Sequence, residues 1–352
     1  MRGAAHSTPD LAYIGSFTSG GGRGITTAAV DPATGALTPV AVTPTPENPS
    51  CLALRPDHRV LYAVSEADRG AVLAFRTGPG GLEALGAPVP VGAAGPTHLS
   101  TAGRRLLTAN YTSGSVSTLP LDADGAPAGP AAVLAHRGGG PDPERQQGPH
   151  AHQVRPDPSG RWVLSVDLGT DSVRVCALDP DTGELRLHAE SVLRAGSGPR
   201  HLAFHPDGEV VYVLHELEPQ MTVCRWNAAA GELEPVSEVP LLPEGAPDAP
   251  RAYPSVVAVS ADGRFVWAAV RGTDTLATFS LADGPEKPQV TDVTGCGGSW
   301  PRDLVADPSG RRLYVANEWS GDVTWFEVDA LTGHPRRAGS VAVPAAACVV
   351  FA

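Results

Sequence analysis

The chain has 352 residues, of which 42% are hydrophobic and 18% charged, and its formal net charge is −12. This composition can bury a large core, and the acidic balance argues against nucleic acid or an anionic membrane as a general partner, because both attract basic surfaces. Forty glycines and 35 prolines indicate many short elements joined by turns.

The amino-terminal stretch MRGAAHSTPD lacks the apolar core of a signal peptide, and no run reaches the roughly 18 apolar residues of a membrane-spanning helix. The five cysteines are odd in number, far apart and never paired as C-x-x-C, so they indicate neither a disulfide framework nor a zinc site. We therefore expect a cytoplasmic protein with a flexible amino terminus over residues 1–11 and a single domain over residues 12–352.

A short turn-like unit recurs six times, each time ahead of an apolar, β-branched or aromatic run. The units end at Arg59, Arg104, Arg161, Glu209, Arg264 and Arg311. Their ends lie 45–57 residues apart, which is typical of a four-stranded propeller blade. The flanking runs are β-rich, and none shows helical periodicity with caps. A two-domain β-sandwich is the alternative arrangement.

The two chain ends supply the strands that six repeats leave missing. The segment from Ala12 to Leu37 matches the second and third strands of a blade without an innermost strand before them, and PAAACVVFA at the carboxyl end matches an innermost strand. The sequence thus predicts an all-β fold, a seven-bladed β-propeller of four-stranded blades. Its ring is closed by the carboxyl-terminal strand pairing into the amino-terminal blade, which removes open sheet edges.

Counting from the turn units predicts where polar side chains converge. The innermost strand and the second strand of a blade are antiparallel neighbours, so the start of one and the end of the other lie at the same face. Nine residues before the turn ends, after a two-residue deletion in one repeat, stand Ser50, Thr97, His152, Arg200, Ser255 and Arg302. Seven residues after them stand Glu66, Tyr111, Leu168, Glu216, Arg271 and Glu318. Such convergent titratable groups at one mouth of the channel are typical of a ligand site.

Other roles for these groups stay open. Arg200 with Glu216, and Arg302 with Glu318, would also serve as ion pairs between two strands of one blade. The long segment HRGGGPDPERQQGP, residues 136–149, is interpreted either as a mobile flap over the site or as a solvated loop.

The histidines divide into two groups. His150 and His152 lie at i, i+2 on one strand face, which would suit a metal, but no third ligand is spaced with them, so we expect no metal and no cofactor. His152 occupies the ring position and is assigned acid–base chemistry, whereas His150 lies at the rim. His98 and His201 follow their ring positions by one residue and are expected to be structural.

These motifs resemble the seven-bladed propeller lactonases, a family that includes propeller-type 6-phosphogluconolactonases and fungal carboxymuconate-lactonizing cyclases. The resemblance covers nearly the whole chain and rests on YIGSFTSG, PERQQGPHAHQVRPDPSGR, GPRHLAFHPDG, YVLHELE and WPRDLVADPSGR. The proposed site of the cyclase branch falls here on His152, Arg200, Glu216 and Arg271. The asparagine that is usual in the family before the last of these arginines is Val270 in this chain.

The resemblance implies hydrolysis of a sugar-derived lactone, first of all 6-phosphogluconolactone, by a water activated at His152. Glu216 would stay ionised beside arginines and orient the reactants, while Arg200 and Arg271 would hold the anionic substrate and the developing oxyanion. The residues expected to bind substrate are His150, Arg302, Tyr111 and Glu318. We expect the partner to be an anionic lactone or a dicarboxylate, and the protein to be a monomer or a weak homo-oligomer.

Three alternatives use the same chain differently. One is reversible cyclisation of an unsaturated dicarboxylate, and another is a non-catalytic propeller that serves as a binding or scaffold module. The third is a calcium-dependent lactonase with oxygen ligands from Asn110, Asp167, Asn317 and Glu318 near the channel axis.

Overall fold

The computed structural model describes residues 11–78, 80–179, 181–242 and 252–352. These residues form seven antiparallel sheets arranged as blades of a ring, which confirms the predicted seven-bladed propeller. The segment predicted to be flexible, residues 1–11, lies outside the described residues except for Leu11. No helix in the described ranges is long and apolar enough to cross a membrane.

The strands follow one another blade by blade. The first blade begins with β1 (Leu11–Ser16), β2 (Ile25–Val30) and β3 (Leu37–Thr43). The second contains β4 (Leu52–Leu54), β5 (Val60–Ser65), β6 (Ala71–Gly78), β7 (Gly81–Ala84) and β8 (Val89–Pro90). The third contains β9 (Pro96–Ala102), β10 (Arg105–Asn110), β11 (Ser115–Pro120) and β12 (Ala132–Ala135). The fourth contains β13 (Ala151–Pro156), β14 (Trp162–Asp167), β15 (Ser172–Leu178) and β16 (Leu185–Val192).

The remaining blades have the same plan. The fifth contains β17 (Pro199–Phe204), β18 (Val210–His215), β19 (Gln220–Asn227) and β20 (Glu232–Pro240). The sixth contains β21 (Tyr253–Val259), β22 (Phe265–Arg271), β23 (Thr275–Ser280) and β24 (Gln289–Gly295). The seventh contains β25 (Pro301–Ala306), β26 (Arg312–Asn317), β27 (Asp322–Val328) and β28 (Pro335–Ala342), and the chain ends with β29 (Ala346–Phe351). Two single-turn 3-10 helices, Thr18–Gly20 and Leu168–Thr170, lie in connections.

The carboxyl-terminal strand closes the ring. β29 pairs antiparallel with β1, so that Tyr13 lies opposite Val350 and Ile14 opposite Val349. The order of the closing sheet is β29-β1-β2-β3, which places the last strand of the chain at the innermost position of the first blade. The two ends of the chain therefore hold each other in the ring.

The hydrophobic core lies between neighbouring blades. The second strands β5, β14 and β18 are buried along their whole length, which explains why they are continuous apolar runs rather than alternating patterns. Tyr212 of the fifth blade, for example, packs with Val266 and Phe279 of the sixth. Its hydroxyl also donates a hydrogen bond of 2.7 Å to the Pro285 carbonyl, which ties the two blades together. The outermost strands alternate between exposed and half-buried residues.

A β-bulge recurs at the start of the innermost strand and determines where the ring residues point. The pairing of these strands with their neighbours skips one residue in six blades, and the skipped residues are Thr97, His152, Arg200, Ser255, Arg302 and Ala347. A bulged residue leaves the strand ladder and its side chain is redirected. The next residue in each of these strands faces the central channel, as His98, Gln153, His201, Val256, Asp303 and Cys348 do.

Candidate active site

A pocket of about 410 Å³ opens at the mouth of the channel where the bulges lie. It is lined by Glu66, Thr97, Tyr111, Arg145, His152, Glu216, Tyr253, Arg271, Trp300 and Arg302. The structure thus brings together five of the eight residues that the sequence singled out. A larger groove of about 1390 Å³ lies among outer strands of the fourth to sixth blades and contains none of the eight.

Glu216 is the electrostatic centre of this pocket. Its side chain follows the end of β18, is only 4% exposed and contacts three guanidinium groups. Arg145 Nη2 lies 2.5 Å from Oε1, and Arg271 Nη2 lies 2.8 Å from Oε2. Arg200 Nε lies 2.9 Å from Oε2, although its N–H does not point at this oxygen, so that contact is an ion pair without a hydrogen bond.

The three neighbouring guanidinium groups keep the Glu216 carboxyl group ionised. Burial alone would raise the pKa of the carboxyl group, but the three guanidiniums outweigh it and hold the pKa well below its usual range. Glu216 is therefore a carboxylate that accepts hydrogen bonds and fixes cations, and it has no proton to donate.

Two of the arginines are held rigidly by backbone carbonyl groups. Arg200, at its bulge, donates from Nη1 to the carbonyl oxygen of Ser255 in the next blade. Arg271 Nε donates to Tyr253 O at 3.0 Å, and its Nη2 also donates to Pro254 O at 3.2 Å. No described residue accepts a hydrogen bond from the Arg271 Nη1 group, so this group remains available to a bound anion.

His152 faces this cluster as a neutral imidazole. It is buried, and its Nδ1 has no hydrogen-bond partner among the described residues. Burial lowers the pKa of His152 well below 6.5, and the fields of Arg200, Arg302 and Arg271 lower it further. The ring stands edge-on to Tyr111, with 5.5 Å between centroids. A neutral imidazole in this position accepts a proton and does not supply one at neutral pH.

Comparison with known proteins identifies the family of this chain. The family model described as "Lactonase, 7-bladed beta-propeller" matches residues 11–351. The chain belongs to this lactonase family. It is 34% identical over 350 residues to a 6-phosphogluconolactonase of Bacillus subtilis, covering 98% of this chain and 99% of the relative. A 6-phosphogluconolactonase of Pectobacterium carotovorum is 30% identical over 285 residues, covering 80% of this chain and 77% of the relative.

A solved structure extends the comparison. The structure of the periplasmic gluconolactonase of Pseudomonas aeruginosa has a TM-score of 0.90 at 32% identity and covers 97% of this chain and 98% of that chain. These similarities support a lactonase function for this family member.

The predicted substrate-binding residue His150 lies beside the pocket and not in its lining. Its ring stacks on Tyr111, with 4.4 Å between centroids, and its Nδ1 lies 2.9 Å from the Tyr111 carbonyl oxygen. Its backbone N–H donates to Asp167 Oδ1 at 2.8 Å. His150 is therefore placed to hold Tyr111 in position, and its predicted contact with substrate stays a prediction.

Both ion pairs that the sequence left open are present. Besides the contact of Arg200 with Glu216, Arg302 Nη1 lies 3.4 Å from Glu318 Oε2. This second pair is half-buried and long, and Arg302 also lies over the Phe17 ring at 4.6 Å. Arg302 thus lines the pocket with most of its donors unused, while Glu318 lies behind it and outside the lining.

Arg145 is a site residue that counting repeats missed. It belongs to the inserted segment 136–149, which has no equivalent in the other blades, and its Nη2 also donates to the Tyr111 hydroxyl at 3.1 Å. The segment is anchored by Gln146, whose Nε2 donates to Leu168 O and to Asp171 Oδ1. The sequence does contain a signal for this role. Arg145 lies in PERQQGP, and this loop leads directly into the β-bulge of the fourth blade at His152.

An aromatic wall was also missed. Trp300 stacks face to face on Trp319, with 3.7 Å between centroids, and Trp319 remains 64% exposed at the mouth. Trp300 has a left-handed backbone, with φ of 64°, and Asp274 holds it there by accepting its N–H at 2.8 Å. The Arg271 guanidinium lies 5.3 Å from the Trp300 ring centre. Residues held in a strained backbone conformation cluster at active sites and ligand-binding sites, so Trp300 is a candidate to contact the substrate.

Two of the four oxygen ligands that the calcium alternative needs are already used within the protein. Asn110 Oδ1 accepts a hydrogen bond of 2.9 Å from the Thr108 hydroxyl, whereas Asn317 Oδ1 is buried without a partner among the described residues. Asp167 is occupied by His136 and Arg174. Within the described ranges, no group of three or more histidine, cysteine or acidic side chains is arranged to hold a metal ion.

We expect Arg145→Met to lower kcat/KM by roughly tenfold to a hundredfold, because it removes charge-assisted hydrogen bonds to Glu216 and Tyr111. The unfolding free energy should change by less than about 1 kcal/mol, since Arg145 lies on a loop and two arginines still neutralise the carboxylate. Steady-state kinetics and urea unfolding test both parts. Arg137→Met, an exposed arginine of the same segment, is the matched control, and equal kinetics in the two variants would contradict a positioning role.

Proposed function

We propose that this lactonase hydrolyses a phosphorylated sugar lactone, namely 6-phosphogluconolactone. The observation that carries the proposal is the neutral His152 facing a carboxylate that holds three guanidiniums, within a pocket of about 410 Å³. The two relatives named 6-phosphogluconolactonase support the choice of substrate.

In the first step, a water molecule attacks the lactone carbonyl carbon while His152 takes its proton. The carbonyl oxygen becomes an oxyanion, and the unused Nη1 group of Arg271 is placed to stabilise it. Glu216 keeps Arg271 and Arg200 in fixed positions. Its carboxylate accepts a hydrogen bond from Arg271 and forms an ion pair with Arg200.

In the second step, the tetrahedral intermediate collapses and the ring C–O bond breaks. The leaving alkoxide receives the proton held by His152, which returns the imidazole to its neutral form. The product is an open-chain hydroxy acid that loses its acidic proton to water and leaves as a carboxylate. Protons and electrons thus balance without a cofactor.

The substrate's own charge would adjust the basicity of His152. In the free pocket, the arginines make the imidazole a weak base, because they disfavour its protonated form. A phosphate bound at Arg302 would offset part of their positive field and raise the pKa of His152 toward the working pH. An anionic substrate would therefore activate the base that attacks it, and a neutral lactone would not.

A substrate panel tests the proposal. The purified protein is assayed against 6-phosphogluconolactone, unphosphorylated gluconolactone and cis,cis-muconate, with the spontaneous opening of each lactone subtracted. We expect the highest kcat/KM for the phosphorylated lactone. Muconate turnover without lactone hydrolysis would favour the cyclase, although the neutral His152 weighs against it because cyclisation needs a proton donor. No turnover of any of the three substrates would contradict the proposal.

We expect His152→Gln to lower kcat by about 10²–10⁴-fold, the usual contribution of a general base. Added imidazole should restore part of the lost rate in this variant. His188→Gln, on an exposed outer strand, serves as the control and should keep its activity. An unchanged rate in the His152 variant, with circular dichroism showing an intact fold, would remove this residue from the mechanism.

A further inference from the structure

His152 lacks the hydrogen bond that usually orients a histidine base. Such a ring is commonly held by a hydrogen bond at the nitrogen that does not react. In this pocket the enclosed Nδ1 of His152 has no partner among the described residues, so the nitrogen that can meet a water molecule is Nε2. The imidazole therefore has to be kept in place by something other than a hydrogen bond at Nδ1.

Two aromatic rings stand edge-on to this imidazole. The Tyr111 ring lies 5.5 Å from the His152 ring between centroids, at 77° between the planes, and the His201 ring lies at 5.4 Å and 71°. Edge-to-face contacts of this kind are favourable, and a ring face also accepts a weak hydrogen bond from an N–H group. His152 thus contacts one ring of the pocket lining and one ring of the channel wall.

His201 is itself supported at its ring and at its backbone. Its ring stands edge-on to the His98 ring, with 5.7 Å between centroids. The N–H of the next residue, Leu202, donates a hydrogen bond of 2.7 Å to Gln153 Oε1. Because Gln153 directly follows His152 on β13, this bond fixes the strand that carries His201 against the strand that carries His152.

The repeat shows that the fold does not require an imidazole at this position. The residues that follow the ring positions in the seven blades are Cys348, Cys51, His98, Gln153, His201, Val256 and Asp303. The two imidazoles of this channel layer come from the third and fifth blades, which flank the blade that carries His152. A valine occupies the equivalent position of the sixth blade, so an innermost strand accepts an aliphatic side chain there.

We propose that His201 is a positioning residue for the reaction: its ring packs against His152 and keeps Nε2 of that imidazole directed at the reacting water. The inference rests on the role proposed for His152 as a base. His201 exchanges no proton in this role, because it acts through ring packing and lies in the channel wall, outside the pocket lining.

Kinetics of two variants test this role. His201→Val removes the ring and introduces the side chain of the sixth blade. Its kcat for 6-phosphogluconolactone should fall roughly tenfold to a hundredfold with KM within about twofold, because the base loses its orientation while the substrate contacts stay in place. His201→Phe keeps a ring without a titratable group and should retain kcat within about threefold. Cys51→Ala, in the same channel layer of the second blade, is the control and should have wild-type kinetics.

Crystal structures of wild type and both variants give a measurement that does not depend on turnover. The His152 ring should have a single orientation in wild type and in His201→Phe, and more than one in His201→Val. If wild type does not hydrolyse 6-phosphogluconolactone, the proposed function fails, and the ring orientation alone decides whether His201 positions His152. His201→Gln, which introduces the side chain of the fourth blade, replaces His201→Val if that variant does not fold.

Three results would overturn the positioning role. One is a wild-type kcat in His201→Val, and another is a single, wild-type orientation of the His152 ring in that variant. The third is an equal loss of kcat in His201→Phe and His201→Val, which would show that the imidazole of His201, and not the packing of its ring, is what the reaction needs.

Discussion

Replacing Glu216 with Gln should destabilise the protein by about 3–5 kcal/mol and abolish measurable lactone hydrolysis. The amide keeps the shape of the side chain but removes the negative charge, so three guanidiniums remain close together without compensation. Breaking a buried ion pair from one side has a cost of this size because the remaining charge stays buried. Urea unfolding followed by circular dichroism measures the loss of stability.

A second substitution separates this explanation from a simple packing defect. Removing Arg145 in the Glu216→Gln background takes away one of the unpaired cations and should recover part of the lost stability. Glu318→Gln is the matched control, because its partner Arg302 is half-buried and 3.4 Å away, and it should change the unfolding free energy by no more than about 1 kcal/mol. Equal destabilisation by the two glutamine variants would show that the charge of Glu216 is not what matters.

The repeat made most of this architecture readable from the sequence. The spacing of the turn units predicted the blades, and the unmatched ends predicted the closure, because each blade must bury its apolar faces against two neighbours. The same counting placed His152, Arg200, Glu216 and Arg271 around one mouth, where the structure brings them together. Their roles in a reaction stay predictions.

What could not be predicted lies where the repeat is broken or locally deformed. Arg145 has no equivalent that counting would single out, and only the folded loop shows that it reaches the site. Trp300 lines the pocket with Trp319 stacked on it, and the stacking shows only in the folded structure. His98 and His201, which are expected to be structural, follow their ring positions by one residue, and in a regular strand this spacing would turn them to the opposite face. The bulge shifts the alternation, so both face the channel, and the His201 ring lies 5.4 Å from the His152 ring. A bulge is set by tertiary pairing, which the local sequence does not show.

The buried histidines should make the protein sensitive to acid. Burial lowers the pKa of His98 to about 3 and of His215 to about 3, and it holds the pKa of His152 and His201 well below 6.5. Because the folded state keeps these four imidazoles neutral, the unfolded state binds more protons at every pH below about 6.5. Stability should therefore be complete above that pH and decrease as the pH falls.

Each of the four imidazoles contributes a slope of up to about 1.4 kcal/mol per pH unit once the unfolded chain is protonated, so the unfolding free energy should fall by several kcal/mol between about pH 6.5 and 5. Urea unfolding at a series of pH values measures this slope. His215→Asn removes one titrating ring but retains a polar partner for the Thr222 hydroxyl, which lies 2.6 Å from His215 Nε2. In that variant the slope should decrease by about a quarter. Stability that stays constant from pH 8 to 5 would mean that the folded protein binds these protons as readily as the unfolded chain does, and this would contradict the neutral state assigned to the four buried imidazoles.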